Sequence, residues 1–219
     1  MTAVNLFDDL EDDDFNPVVR DHGRPQVLNV ATWLLTLGID LVAEAEDVVQ
    51  DRTSHRCGLT RTLLRGLQTA GGGQAMDIGA QNTSPEQTIA TIERKSGTLV
   101  GTICELGARA AGGSEPLASA FRQIGVHLGV AAQLANDLGD AGDKSKGRAG
   151  GGASAVVALT QSEDGNDAFD AARLAVFVLA RVHVEEAQEQ ARRAGAKRLL
   201  DIANSWLHHG RYDSTHMAA

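Results

Sequence analysis

An all-α fold is predicted on three observations. Long stretches carry apolar residues at helical spacing, as in Val27, Val30, Ala31, Leu34, Leu37, Leu41, Val42, Ala45 and Val48, a pattern of three- and four-residue steps that lines one face of a helix. Aromatic residues make up only 4% of the chain, whereas Ala, Leu, Val and Gly are plentiful, a composition that favours packed helices. Hydrophobic content is 42% over 219 residues, enough for one domain with a sizeable core. No internal repeat is present.

Taken in order, residues 2 to about 14 read as a helix that starts abruptly and is broken by Phe15-Asn16-Pro17. A long helix follows from Gln26 to about Asp51, where Asp51-Arg52-Thr53-Ser54 ends it. Leu59, Leu63, Leu64 and Leu67 mark the next helix, and Gly71-Gly72-Gly73 is expected to interrupt it. Ser84-Pro85-Glu86-Gln87 is a strong helix start: Ser84 can cap, Pro85 suits the first turn and Gln87 completes a capping box. That helix is expected to run unbroken to Ala111, where Gly112-Gly113 stop it. Ser114-Glu115-Pro116 opens another, with Leu117, Phe121, Ile124, Leu128 and Val130 inside. A Gly- and Lys-bearing loop separates it from an apolar run at 153–159. Residues 168 to about 208 read as one or two amphipathic helices with a boundary at Gly195, and His208-His209 as a surface pair.

The net charge of −9 argues against nucleic acid and anionic membrane surfaces as partners. Cys57 and Cys104 are too few for a disulfide framework. No apolar run reads as long enough to be a transmembrane segment, and the N-terminus lacks the basic-then-apolar pattern of a signal peptide. A cytoplasmic protein is expected.

Two clusters of oxygen donors stand out. Gln133, Asn136, Asp137 and Asp140 lie at i, i+3, i+4 and i+7 and share a face at the end of an apolar helix. Burying such groups is costly unless a cation or partner satisfies them. Oxygen ligands without His or Cys suit Mg²⁺. Near the start, Asp8, Asp9 and Asp12 again share one face, and like charges so close repel unless a metal neutralises them. Either cluster alone is more simply a polar helix end or a solvated acidic surface; two such faces, each on an apolar helix, are much less expected by chance than either one.

With these residues the chain resembles the trans-isoprenyl diphosphate synthases, from Asn5 to about Leu159. Their first aspartate-rich motif, DDxxD, corresponds to Asp8-Asp9-Leu10-Glu11-Asp12, and their second, preceded by a Gln, to Gln133 and Asn136-Asp137-Leu138-Gly139-Asp140. The resemblance implies an isoprenoid-synthase-type helical bundle. It also implies a prenyltransferase that condenses an allylic diphosphate with isopentenyl diphosphate through Mg²⁺-assisted ionisation. Asp8, Asp9, Asp12, Asn136, Asp137 and Asp140 would be the metal ligands, with Asp8, Asp9, Asp12, Lys95 and Asp137 catalytic. Lys95-Ser96 stands where the family has a diphosphate-binding Lys-Thr. Arg20 and Arg24 would hold diphosphate, in a segment where Asp21-His22 interrupts the family's arginine pair. Gln133, Lys144 and Lys146 would do the same, the two lysines from a glycine-rich loop suited to closing over a substrate. Gln74 and Asp77 match a Gly-Gln-x-x-Asp element near the substrate cavity. Ala3 and Val4, small and ahead of the first motif, would leave room for a longer product. The helices at 26–51 and 84–111 would wall the growing chain.

The chain departs from the family pattern in starting almost at the first motif, so that it is expected to lack the family's first helices within a single domain of 1–219. An uncovered apolar face would then make it a homo-oligomer or bind it to a partner subunit. Asn136 stands where an Asp is usual, as in relatives that prenylate a peptide tryptophan. A terpene cyclase or peptide prenyltransferase of the same fold, or a non-catalytic or truncated subunit of a heteromeric prenyl synthase, is the alternative.

Overall fold

In the computed structural model, residues 2–11, 17–53, 58–79, 84–142, 154–160 and 166–208 are described. Among them there is helix and no strand, as expected. The helices are α1 (Thr2–Glu11), α2 (Pro17–His22), α3 (Arg24–Thr53), α4 (Leu59–Ile78), α5 (Pro85–Ile92), α6 (Thr98–Ala110), α7 (Glu115–Gly142), α8 (Ala155–Thr160), α9 (Asn166–Arg193) and α10 (Lys197–His208). A π-helical turn, Glu93–Gly97, joins α5 to α6.

α7 is the centre of the bundle, with α6 on one side and α9 on the other. Ile124, Val130, Ala131 and Leu134 of α7 are fully buried, as are Val176, Ala180, Val184 and Ala187 of α9. These form one core, which Val156 of α8 and Ala203 of α10 extend. Removing such side chains from water supplies most of the stabilisation, at roughly 25 cal/mol per Å² of apolar surface. Leu10, Val19 and Val27 make a separate, small core that holds α1 and α2 on α3.

Glycines set how closely α6 and α7 approach. A Cβ on Gly125 would stand 2.7 Å from Gly101 Cα, and one on Gly129 would stand 2.5 Å from the Ser96 carbonyl oxygen. The backbones are therefore in contact, which brings Gln133 of α7 beside Ser96.

Several local expectations hold. The Ser84–Gln87 capping box forms with both of its bonds. Gly195, at φ +66°, separates α9 from α10. Three do not hold. Gly71-Gly72-Gly73 does not interrupt α4, which runs through them. A Cβ on Gly73 would meet Lys95 N at 2.7 Å and Arg94 C at 2.9 Å, so one of these glycines serves contact between helices rather than a break. The 84–111 helix is not uniform, because the π-turn inserts a wider turn at Lys95. Finally, α3 is long and apolar enough over Arg24–Gln50 to cross a membrane by length and composition, whereas the sequence reading found no run of that length. Its uncharged stretch is only Pro25–Ile39, with Asp40 next.

Most of α3 is open. Trp33 is 61% exposed, Leu41 54%, and Leu28 and Val48 50%. An apolar cleft of about 240 Å³, lined by Leu6, Val18, His22, Gln26, Val27 and Val30, lies among α1, α2 and α3, and none of the aspartates lines it.

Candidate functional site

The π-turn presents Lys95. Turns of this kind add one residue to a helix and are frequent at functional sites. Lys95 Nζ lies 2.7 Å from Asp8 Oδ1 on α1 and 2.9 Å from Asp77 Oδ2 on α4. Its side chain is 13% exposed, as is that of Asp77, while that of Asp8 is 38% exposed. Burial disfavours the ammonium, but Asp8 and Asp77 outweigh it and raise the Lys95 pKa above its ordinary value. The lysine is thus held charged, with a carboxylate from each of two other helices. Asp8 Oδ1, shut off from solvent, meets it as an ion pair off the hydrogen-bond axis. The position of α4 follows from Gly73, whose lack of a side chain lets the helix reach the Lys95 backbone.

A second set of bonds runs from the next residue. Ser96 Oγ donates to Gln133 Oε1 at 3.0 Å, and Gln133 Nε2 donates to Asp137 Oδ1 at 3.1 Å. The Ala155 backbone N–H, at the start of α8, donates to Asp137 Oδ2 at 2.8 Å. Burial pushes the Asp137 carboxyl up to about 6; these two donors oppose the shift, and the charges of Asp77 and Asp140 add to it. Asp77 and Asp140 therefore lie near enough to Asp137 to act on it, so the cluster joins α1, α4, the π-turn and α7.

The structure brings together Asp8, Asp77, Lys95, Gln133, Asp137 and Asp140, from stretches far apart in the chain. Asn136 and Asp140 are exposed on α7, and Asp9 is half-buried on α1. Gln74, one turn before Asp77, has both amide atoms buried without a partner. A group left so is costly, and it is the kind of site a polar ligand completes. Ala3 is buried and Val4 half-buried on α1.

Other expected positions have different surroundings. Arg20 is exposed and its Nε pairs with the adjacent Asp21 at 2.9 Å. Arg24 donates to the Leu10 carbonyl at the end of α1, which ties α1 to α3. Asp137 was expected as a metal ligand, yet both of its oxygens accept from protein donors. Asp12, Lys144 and Lys146 lie outside the described residues, as does His209 of the pair at the C-terminal end. The sequence reading missed the ion pair of Lys95 with Asp77, eighteen positions apart; only the i,i+3 spacing of Gln74 and Asp77 hinted that Asp77 faces a site.

Among the described residues, no three His, Cys, Asp or Glu side chains close on one point as a metal cage. The donor chemistry nonetheless fits Mg²⁺. Asp8 of α1 and Asp140 of α7 supply oxygen donors at this cluster, and Mg²⁺ is usually held by one or two carboxylates with substrate phosphate and water completing its shell.

The sequence profile of the polyprenyl synthetase family matches residues 2–150. No curated protein matches the sequence. Among solved structures, the fold is similar to the geranylgeranyl pyrophosphate synthetase of the archaeon Geoglobus acetivorans, at a TM-score of 0.76 and 19% identity, over 93% of this chain and 74% of that one. It is also similar to a decaprenyl diphosphate synthase from Rhodobacter capsulatus, at a TM-score of 0.72 and 16% identity, over 93% and 74%. A polyprenyl synthetase from Streptomyces coelicolor A3(2) gives 0.70 and 23%, over 92% and 74%.

Proposed function

The chain belongs to the polyprenyl synthetase family, and from that premise we propose that it is a single-domain, cytoplasmic prenyltransferase joining an allylic diphosphate to isopentenyl diphosphate with Mg²⁺. The observation that carries this reading is Lys95, a half-buried ammonium held between Asp8 and Asp77, next to Ser96, which bonds Gln133 of α7. A cation ringed by oxygen donors suits a diphosphate whose charge Mg²⁺ shares.

Asp8, Asp9 and Asp140, with Asn136, are the residues to hold the ion; when bound, it neutralises charge that develops as diphosphate departs. Lys95 turns from its carboxylates to the diphosphate oxygens and adds a fixed positive charge where the leaving group forms. Gln74 supplies its unpartnered amide. Gln133, held by Ser96 and Asp137, keeps the π-turn and α7 in register. The C–O bond of the allylic substrate breaks and the diphosphate leaves with the electron pair. The double bond of isopentenyl diphosphate then attacks the allylic cation to form a carbon–carbon bond, and an oxygen of the departed diphosphate takes the proton whose loss restores an alkene.

Calorimetry with a thio-diphosphate analogue of the allylic substrate, with and without Mg²⁺, tests the reading. Binding is expected only with the metal, and equal affinity in EDTA would overturn it.

A further inference from the structure

On the side of α7 that packs against α9, His127 Nδ1 and His183 Nδ1 stand within hydrogen-bond distance at 3.0 Å, with ring centroids at 5.2 Å and ring planes at 47°. The function proposed above uses neither. Asp137 comes ten positions after His127, a rise of about 15 Å along the helix, so the pair is distinct from the aspartate cluster. Both histidines are half-buried. Fully buried Val130 and Ala131 of α7 and Val184 and Ala187 of α9 flank them, so helix packing sets the spacing.

We propose that His127 and His183 form a proton-operated latch: one proton between the facing nitrogens joins α7 to α9, and a second on those nitrogens opens the seam. A neutral imidazole has one N–H and one lone pair, whereas an imidazolium has two N–H groups and no lone pair. In the neutral pair the Nδ1–H of one ring donates to the bare Nδ1 of the other. The free base is then the Nε2 of the donor ring. A proton taken there leaves the bond in place and makes it charge-assisted. The next proton has only the accepting Nδ1 to go to. It sets two N–H groups head to head at 3.0 Å and a positive charge on each ring, so the bond is lost and the rings part.

The surroundings place this event in acid. Burial is the largest influence on both imidazoles and lowers their pKa values, and the charge of His127 lowers that of His183 further. Glu186 of α9 opposes this at both rings, and Glu93 of the π-turn opposes it at His127. Both carboxylates are exposed, where solvent and salt screen their pull. Coupled groups of this kind take up protons in two steps that belong to the pair. The latch is closed at neutral pH and opens below the ordinary imidazole value of about 6.5. Because α7 also carries Gln133, Asp137 and Asp140, the anchoring of the helix beneath the aspartate cluster depends on pH.

The test is ¹⁵N NMR of the imidazoles together with amide hydrogen exchange, on the whole chain at pH 7 and pH 5. At pH 7 one Nδ1 is expected to carry a proton and the other to be bare. Protection of the amides at 128–131 and 184–187, corrected for the intrinsic pH dependence of exchange, should fall at least about tenfold in wild type between pH 7 and pH 5. His127→Asn and His183→Asn test the cause. An amide can donate to a bare Nδ1 or accept from an imidazolium, so the bond outlasts protonation of the remaining ring. Each variant should match wild-type protection at pH 7 within a few fold and lose most of the fall at pH 5. Wild-type protection that is equal at the two pH values, or variants that open in acid as far as wild type does, would overturn the proposal. So would two bare or two protonated Nδ1 atoms at pH 7.

Discussion

Burial and the nearby charges of Asp77 and Asp140 make Asp137 expensive to ionise. The folded protein holds its proton up to about pH 6, whereas the unfolded chain releases it near the ordinary value of about 3.9. The native state is therefore favoured at low pH and loses that advantage as pH rises from about 4 to 6, at a cost of up to roughly 3 kcal/mol. Asp137→Asn keeps the bond from the Ala155 N–H, and a flip of the Gln133 amide keeps the other. The variant should be about 1–3 kcal/mol more stable than wild type at pH 7, with the difference fading near pH 4, as read by urea denaturation. A variant less stable at both pH values would refute the account. His127 and His183 act with the opposite sign. Burial lowers their pKa values, so the unfolded chain takes up protons first as pH falls below about 6.5, and stability falls with it. In wild type the two effects partly cancel. In Asp137→Asn only the histidine loss remains, so its stability should fall more steeply from pH 7 to pH 5. Asp8→Asn leaves Lys95 paired to Asp77; it should fold normally yet lose most Mg²⁺-dependent diphosphate binding, and wild-type affinity would show that the site is misassigned.

At the scale of elements, the approach of α4 to the π-turn decides where Asp77 meets Lys95. Two neighbouring glycines separate contact from flexibility. A Cβ at Gly73 would strike the Lys95 and Arg94 backbone, whereas at Gly71 nothing lies within 4 Å. Gly73→Ala should destabilise the protein by about 1–3 kcal/mol, the usual penalty of overpacking, and weaken diphosphate binding as Asp77 is pushed from the lysine. Gly71→Ala should stabilise it by about 0.5–1 kcal/mol, because alanine in an open helix has less backbone entropy to lose. Chemical denaturation of both variants checks the pair, and equal effects would refute the contact argument.

For the whole molecule, the open feature is the apolar stripe of α3. Val30, Trp33, Leu37, Leu41 and Val48 are all exposed and recur at steps of three, four or seven. Contiguous apolar surface of this kind is uncommon on soluble monomers. The chain is expected to self-associate through α3, and Trp33→Glu with Leu41→Glu should shift it toward monomer in light scattering. A wild-type chain that is monomeric at tens of micromolar would refute this.

The helical class, the order of most of the helices and the Ser84 cap were legible in the sequence, because each rests on spacing within one segment. Helical periodicity and capping chemistry act over a few residues and need no partner to be read. The boundary at Gly195 belongs with them. Only the tertiary structure decided that Gly73 is a contact rather than a break, since a glycine in sequence does not reveal what faces it. It alone decided that Lys95 stands on a π-turn between Asp8 and Asp77, and that Asp137 is held by Gln133 and Ala155. These are pairings between groups from separate helices. Their distances depend on how closely the helices pack, which is fixed by the shapes of many side chains together.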